Sequence, residues 1–136
     1  MRMLLILSMK VKLCTKQVDY TAAFVQAPIT EEVYVEPPKG FPLKGNQVLK
    51  FPRCPYGFKQ APRNWCLHLK TQLEKCGLEQ SELDPCLFLW KDVISLVYVD
   101  DCLFYSPKEE YIEDLIKELK FDCGLDLNVE DDVAGI

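Results

Sequence analysis

Asp100 and Asp101 stand side by side in LVYVDDCLFYS, residues 96–106, between two apolar runs. A carboxylate is expensive to remove from water unless a cation or hydrogen-bond donors meet it. An acidic pair at the joint of two hydrophobic strands therefore serves either a turn or a reaction. A turn is the plain explanation, because an Asp side chain bonds its own backbone. A third acid opens the other: in QVDYTAAF, Asp19 sits at a second strand-to-helix junction. If the two strands are neighbours, Asp19 and Asp100 converge at one end of a sheet. Two carboxylates about 4 Å apart repel by roughly 4 kcal/mol at an effective dielectric of about 20, and a divalent cation turns that repulsion into attraction. Hard oxygen donors suit Mg2+, which usually takes only one or two carboxylates and shares its remaining positions with phosphates. Two such ions about 3.5–4 Å apart serve in-line phosphoryl displacement.

The elements that would carry these acids follow from pattern and punctuation. A helix over about residues 2–13 leads into a short strand ending near Asp19. EEVYVEPP alternates and stops at Pro37 and Pro38, which reads as an edge strand; NQVLKF is a further short strand. APRNWCLHLKTQLEKCG is the central helix, with Pro62 at its first position and Gly77 as its stop. Trp65, Leu69, Leu73 and Cys76 recur at helical spacing, and that stripe reads as core packing. CLFLW, a two-residue turn at Lys91-Asp92, and VISLVYV read as neighbouring antiparallel strands. Val93–Val99 and Cys102–Tyr105 form the arms of a hairpin with Asp100 and Asp101 at its tip. Ser106, Pro107 and Glu109 read as a capping box that opens a last helix, whose buried stripe is Ile112, Leu115, Ile116 and Leu119. The expectation is an α+β fold with an antiparallel sheet and helices packed on one face.

At 136 residues the chain fits one domain. Its net charge of −5 does not by itself call for a polyanion, and the distribution is more informative. From Lys39 to Lys70 there are seven basic residues and no acid, whereas from Lys108 to Ile136 ten acids face three lysines. The basic stretch is either a solvated face or a surface that follows phosphates. Seven cysteines, an odd number without a C-x-x-C pair, read as reduced and mostly buried thiols, not a disulfide frame or a zinc site. His68, the one histidine, reads as a helix-face residue. MRMLLILSMK is too short in its apolar run, and lacks a prompt cleavage site, for a secretion signal. No stretch reaches the 18 or so apolar residues of a membrane span.

YVDD at 98–101 resembles the signature hairpin of reverse transcriptases. VDYTAAF resembles their first aspartate motif. EEVYVEPPKGF, YGFKQAPRNW and SELDPCLF resemble, in order and spacing, segments of the copia-type retrotransposon polymerases. The resemblance runs over roughly residues 4–133. It implies a polymerase palm-like fold with part of the fingers, and RNA-directed DNA synthesis from dNTPs on a template-primer. Asp19, Asp100 and Asp101 would be the catalytic triad, with Asp19 and Asp100 holding two Mg2+ ions, or Mn2+. Tyr20, Ala23 and Phe24 would line the nucleotide, and Phe24, otherwise a core aromatic, would disfavour a ribose. Tyr56, Gly57 and Lys59 would line the nucleotide and template side, or form only a turn before the helix. Tyr98 would lie near the primer end, or be a strand aromatic. Arg53 and Arg63, in the basic stretch, would meet nucleic acid.

The resemblance also implies a single, truncated palm domain over 1–136, with fingers incomplete and the thumb absent. Its partners would be the remaining polyprotein domains (fingers, thumb, RNase H, integrase), and its setting intracellular, in cytoplasm or a virus-like particle. Two other readings stay open: a non-catalytic remnant that binds nucleic acid or a partner through residues 39–70, and an unrelated α+β module whose D-D tip is only a turn.

Overall fold

A computed structural model describes residues 2–53, 55 and 57–130. Tyr56, Cys54 and the last six residues lie outside this set. The order is α1 (Arg2–Val11), β1 (Cys14–Tyr20), α2 (Ala23–Gln26), β2 (Pro28–Val35), β3 (Leu49–Arg53), α3 (Ala61–Lys75), β4 (Glu79–Gln80), β5 (Leu87–Trp90), β6 (Val93–Tyr98), β7 (Asp101–Ser106), α4 (Glu109–Phe121) and β8 (Leu127–Glu130). Six strands form one sheet in the order β4-β5-β6-β7-β1-β8, and β2 pairs with β3 in a separate two-stranded sheet. All strand pairs are antiparallel. The expected α+β class with antiparallel sheets is thus observed.

Alternation along the strands sorts the sheet into two faces. Val18 and Tyr20 of β1, Cys102 and Phe104 of β7, Val93 of β6, and Phe88 and Trp90 of β5 share one buried cluster with the stripes of α3 and α4. Trp65, Leu69 and Leu73 supply the α3 stripe, and Ile112, Leu115, Ile116 and Leu119 the α4 stripe, as their spacing predicts. The odd-numbered residues of β1, Asp19 among them, therefore point away from this core. Lys16 belongs to the core face but reaches the edge of α4, where its ammonium lies 2.8 Å from Glu109 and 3.3 Å from Glu113.

Three expectations change. The hairpin tip shifts by one residue, because Val99 and Asp100 form the turn and Asp101 already begins β7, paired with Tyr98. The Ser106–Glu109 capping box does not form. Antiparallel pairing of β7 with β1 places Ser106 opposite Cys14, so Ser106 finishes a strand and is fully buried. Its hydroxyl accepts from the Lys108 N–H at 3.4 Å, and α4 starts only at Glu109, with Glu109 and Glu110 complementing the positive helix end. The thiols also differ from the sequence reading. Cys76 and Cys123 are joined as a disulfide across 47 residues of chain, where the last turn of α3 meets the turn after α4. Of the free described cysteines Cys102 is buried, whereas Cys66 and Cys86 are exposed and Cys14 is half-buried.

Candidate active site

The register answers the question posed by the acids. β1 and β7 pair so that Asp19 lies directly opposite Asp101, and β6 and β7 pair Tyr98 with Asp101. Val99 and Asp100 form the two-residue turn that links β6 to β7. Asp19 and Asp101 are cross-strand neighbours on one sheet face, and Asp100 is bonded to the same strand end: the Tyr20 N–H donates to the Asp100 carbonyl at 3.0 Å. Asp19 and Asp100 are half-buried and Asp101 is exposed. Burial, followed by the negative charges of Asp100 and Asp101, pushes the Asp19 pKa above its ordinary value. The three carboxylates therefore interact across two separate stretches of chain.

The turn that presents Asp100 is held in an uncommon backbone state. Val99 has φ +56°, a left-handed conformation that a β-branched residue rarely adopts. Trp65 of α3, wholly buried, donates its indole N–H to the Val99 carbonyl at 2.5 Å. Its ring meets Tyr20 edge-on, with centroids 5.3 Å apart and an interplanar angle of 63°. Helical spacing identifies Trp65 only as packing, because it does not encode the partner of a buried indole N–H. On the other side of β1, Asn128 of β8 faces Asp19 and donates to the Thr21 hydroxyl at 3.1 Å. The Gln26 side chain clasps Asp126, donating to its carbonyl at 2.8 Å and accepting from its N–H at 3.1 Å. These two bonds fix the chain just after Asp19, and no motif pointed to them.

The nucleotide-side residues are placed less uniformly. The Tyr20 side chain is fully buried in the core, and its backbone N–H is given to Asp100. The Thr21 N–H is likewise given to Asp126. Ala23 is buried, and Phe24 is half-buried against the edge of the core. Tyr98 is 64% exposed beside the acids. Gly57 (φ +92°) and Lys59 are exposed in the turn before α3, whereas Tyr56 falls outside the described residues. In the basic stretch, Arg53 donates to the Val25 and Gln26 carbonyls at 3.2 and 3.3 Å, and Lys50 pairs with Glu32. Arg63 is exposed on the first turn of α3. Cys102, beneath the tip, is 3.1 Å from the Ser95 hydroxyl; burial pushes its thiol up to about 12, which leaves it an inert packing group.

Among the described residues, no group of three or more His, Cys, Asp or Glu side chains is placed so that it could hold a metal ion.

Residues 1–134 match the family model described as reverse transcriptase (RNA-dependent DNA polymerase). The chain belongs to this family. It is 31% identical over 137 aligned positions, 96% of the chain, to the retrovirus-related Pol polyprotein from transposon TNT 1-94 of Nicotiana tabacum. It is 40% identical over 94 residues, 65% of the chain, to the Pol polyprotein from transposon RE1 of Arabidopsis thaliana. It is 30% identical over 105 residues, 76% of the chain, to the transposon Ty1-DR4 Gag-Pol polyprotein of Saccharomyces cerevisiae. The aligned region is 10% of the first of these polyproteins and 6% of the other two. The copia-type reverse transcriptase resemblance carried by the sequence motifs is therefore established. No described helix is long and apolar enough to cross a membrane.

Proposed function

We propose that this chain is the palm of a copia-type reverse transcriptase, and that its acidic tip transfers a nucleotide from a dNTP to a primer 3′-hydroxyl on an RNA or DNA template. One observation carries the reading: Asp19 and Asp101 face each other across paired strands, with Asp100 in the adjoining turn; burial first, and then the charges of both tip acids, raise the Asp19 pKa. A repulsive carboxylate cluster at a strand end is costly unless positive charge arrives with the substrate.

Asp19 and Asp100 would hold Mg2+ (or Mn2+), and Asp101, facing Asp19, would support them. The chemistry such ions would supply, if bound there, is a lowered pKa for the attacking hydroxyl and neutralisation of charge on the leaving pyrophosphate. The protein's own contribution is position: β1 fixes Asp19, the Val99-Asp100 turn fixes Asp100, and the Tyr20 N–H holds the two together. Charge neutralisation at pre-set positions supplies most of the acceleration in such a site. Exposed Tyr98 would flank the primer end, and Phe24 the sugar of the incoming nucleotide. Gly57 and Lys59 would line the template side, and Arg63 and Arg53 would meet the nucleic-acid backbone. The remaining polyprotein domains would complete the grip on template and primer.

Primer extension on an RNA template with Mg2+ tests the reading. The wild type extends and Asp100→Asn does not; equal signal in both, or in neither, defeats it. A second reading is favoured by the exposed Lys39, Lys44, Lys59 and Arg63: a chain that binds nucleic acid without turnover. Its mark is binding to single strands with a log–log salt slope of roughly −0.7 per phosphate contact, unaltered by Asp100→Asn.

A further inference from the structure

We infer that Trp65 is a positioning residue for the acidic tip, holding Val99 in the conformation from which Asp100 is presented and bracing the neighbour of Asp19. The inference rests on the functional reading above.

Three contacts close a ring around the tip. The Trp65 indole N–H bonds the Val99 carbonyl, the Tyr20 N–H bonds the Asp100 carbonyl, and the Tyr20 and Trp65 rings meet edge-on. Trp65 thus touches the chain neighbours of both Asp100 and Asp19, Val99 and Tyr20. The helix that carries it is anchored through Leu69 and Leu73 in the core. A filler for that volume needs no polar atom. An indole whose N–H reaches the carbonyl of a turn residue in a rare conformation does something packing does not, since left-handed β-branched residues persist only where their surroundings over-determine them. Two-residue hairpins prefer glycine or Asn at positive φ. This turn uses valine and takes its restraint from α3 instead. The spacing of the acids is accordingly set by a helix 34 residues upstream of the tip, and not by the hairpin alone.

The test is a double-mutant cycle on the full chain, read by amide exchange and by Mn2+ titration. Trp65→Phe keeps a ring and removes the donor. The Tyr20 amide, which reports the Asp100 contact, is expected to exchange about tenfold faster, with the Leu115 amide of α4 unchanged. The Mn2+ dissociation constant should rise about tenfold. In a Val99→Gly background, where the left-handed state needs no external restraint, the same Trp65→Phe change should alter both by less than twofold, because coupled residues are non-additive. Additive effects, or wild-type exchange at Tyr20 in Trp65→Phe, overturn the inference. Should Trp65→Phe loosen the whole core, seen as lost protection at Leu115, the wild type decides. A scalar coupling between the indole nitrogen and the Val99 carbonyl carbon supports the inference, and its absence overturns it. A wild type that takes up no Mn2+ sinks the functional reading, and the exchange cycle then decides the role of Trp65 by itself.

Discussion

The sheet has two hairpin turns of the same length at opposite ends, and they are built differently. Lys91-Asp92 joins β5 to β6, with Trp90 paired to Val93. Val99-Asp100 joins β6 to β7, with Tyr98 paired to Asp101. In both, the first turn residue has positive φ, +48° at Lys91 and +56° at Val99. At the first turn the Lys91 ammonium lies 4.0 Å from the centre of the Trp90 ring, and the residues are exposed. At the second, a β-branched residue is bonded from α3 and its neighbour from β1. Both turns carry one Asp in the second position, but only Asp100 has further acids from a second strand beside it. An Asp in a turn is thus uninformative; restraint from outside the hairpin, together with charge converging from another strand, separates a site from a corner.

The largest contrast lies between the two aspartates. Asp100→Asn should lower Mg2+-dependent primer extension at least about a hundredfold, the scale of losing one preorganised electrostatic group, whereas Asp92→Asn should leave it within twofold. A loss of the same size in both would erase the distinction between the turns.

Away from the tip, Lys16 of β1 is paired to two glutamates of α4. Lys16→Met should cost about 1 kcal/mol by urea unfolding at neutral pH, since both glutamates are about half exposed and the pair is screened. The hydrogen bond to Glu109 leads in raising the Lys16 pKa above 10.5. Its contribution is therefore complete below that pH and is lost as pH climbs through the folded-state value. Wild type and Lys16→Met should converge in stability at strongly alkaline pH; a gap that persists there would show that packing, not charge, is responsible.

A smaller effect compares the turns directly. Val99→Gly should be more favourable than Lys91→Gly by about 0.5 kcal/mol, because the β-branched chain suffers more in the left-handed region and Lys91 also loses its ring contact. Urea midpoints that favour Lys91→Gly would deny the strain at Val99.

The smallest effect exposes the tension between site and stability. With the Asp19 pKa raised, chiefly by burial and then by Asp100 and Asp101, folding loses stability as pH rises from 3.8 through the folded-state value, and the penalty is complete above it. Asp19→Asn should then stabilise the metal-free chain at pH 7 by up to about 0.5 kcal/mol, with the gain gone below pH 3.8. The same change should abolish Mn2+ binding. A destabilised Asp19→Asn would mean that the carboxylate serves the fold.

Much of this architecture was written in the one-dimensional pattern. Short apolar runs broken by polar pairs marked β6 and β7. Helical recurrence marked the stripes of α3 and α4, and the polar break at Lys91-Asp92 marked the first turn; the second lies one residue earlier than the Asp100-Asp101 break suggests, at Val99-Asp100. These features are local, and short-range sterics and hydrophobic period decide them. The acids themselves, and the family that YVDD and its companion motifs indicate, were also legible.

Pairing was not. Ser106 looked like a helix cap because its neighbours fit that role, yet β1, some ninety residues earlier, claims it for the sheet. Cys76 and Cys123 carried no spacing signal, and they meet only because two helices end at the same place. Asp19 opposite Asp101, and Trp65 beneath Val99, are contacts between segments whose separation along the chain leaves no periodic trace. Sequence by itself determined which side chains could bear charge and which faces had to be buried, because those are properties of residues and their immediate order. Tertiary structure alone decided which charges meet and which backbone is restrained, because register and packing are set by the simultaneous burial of every element in one core.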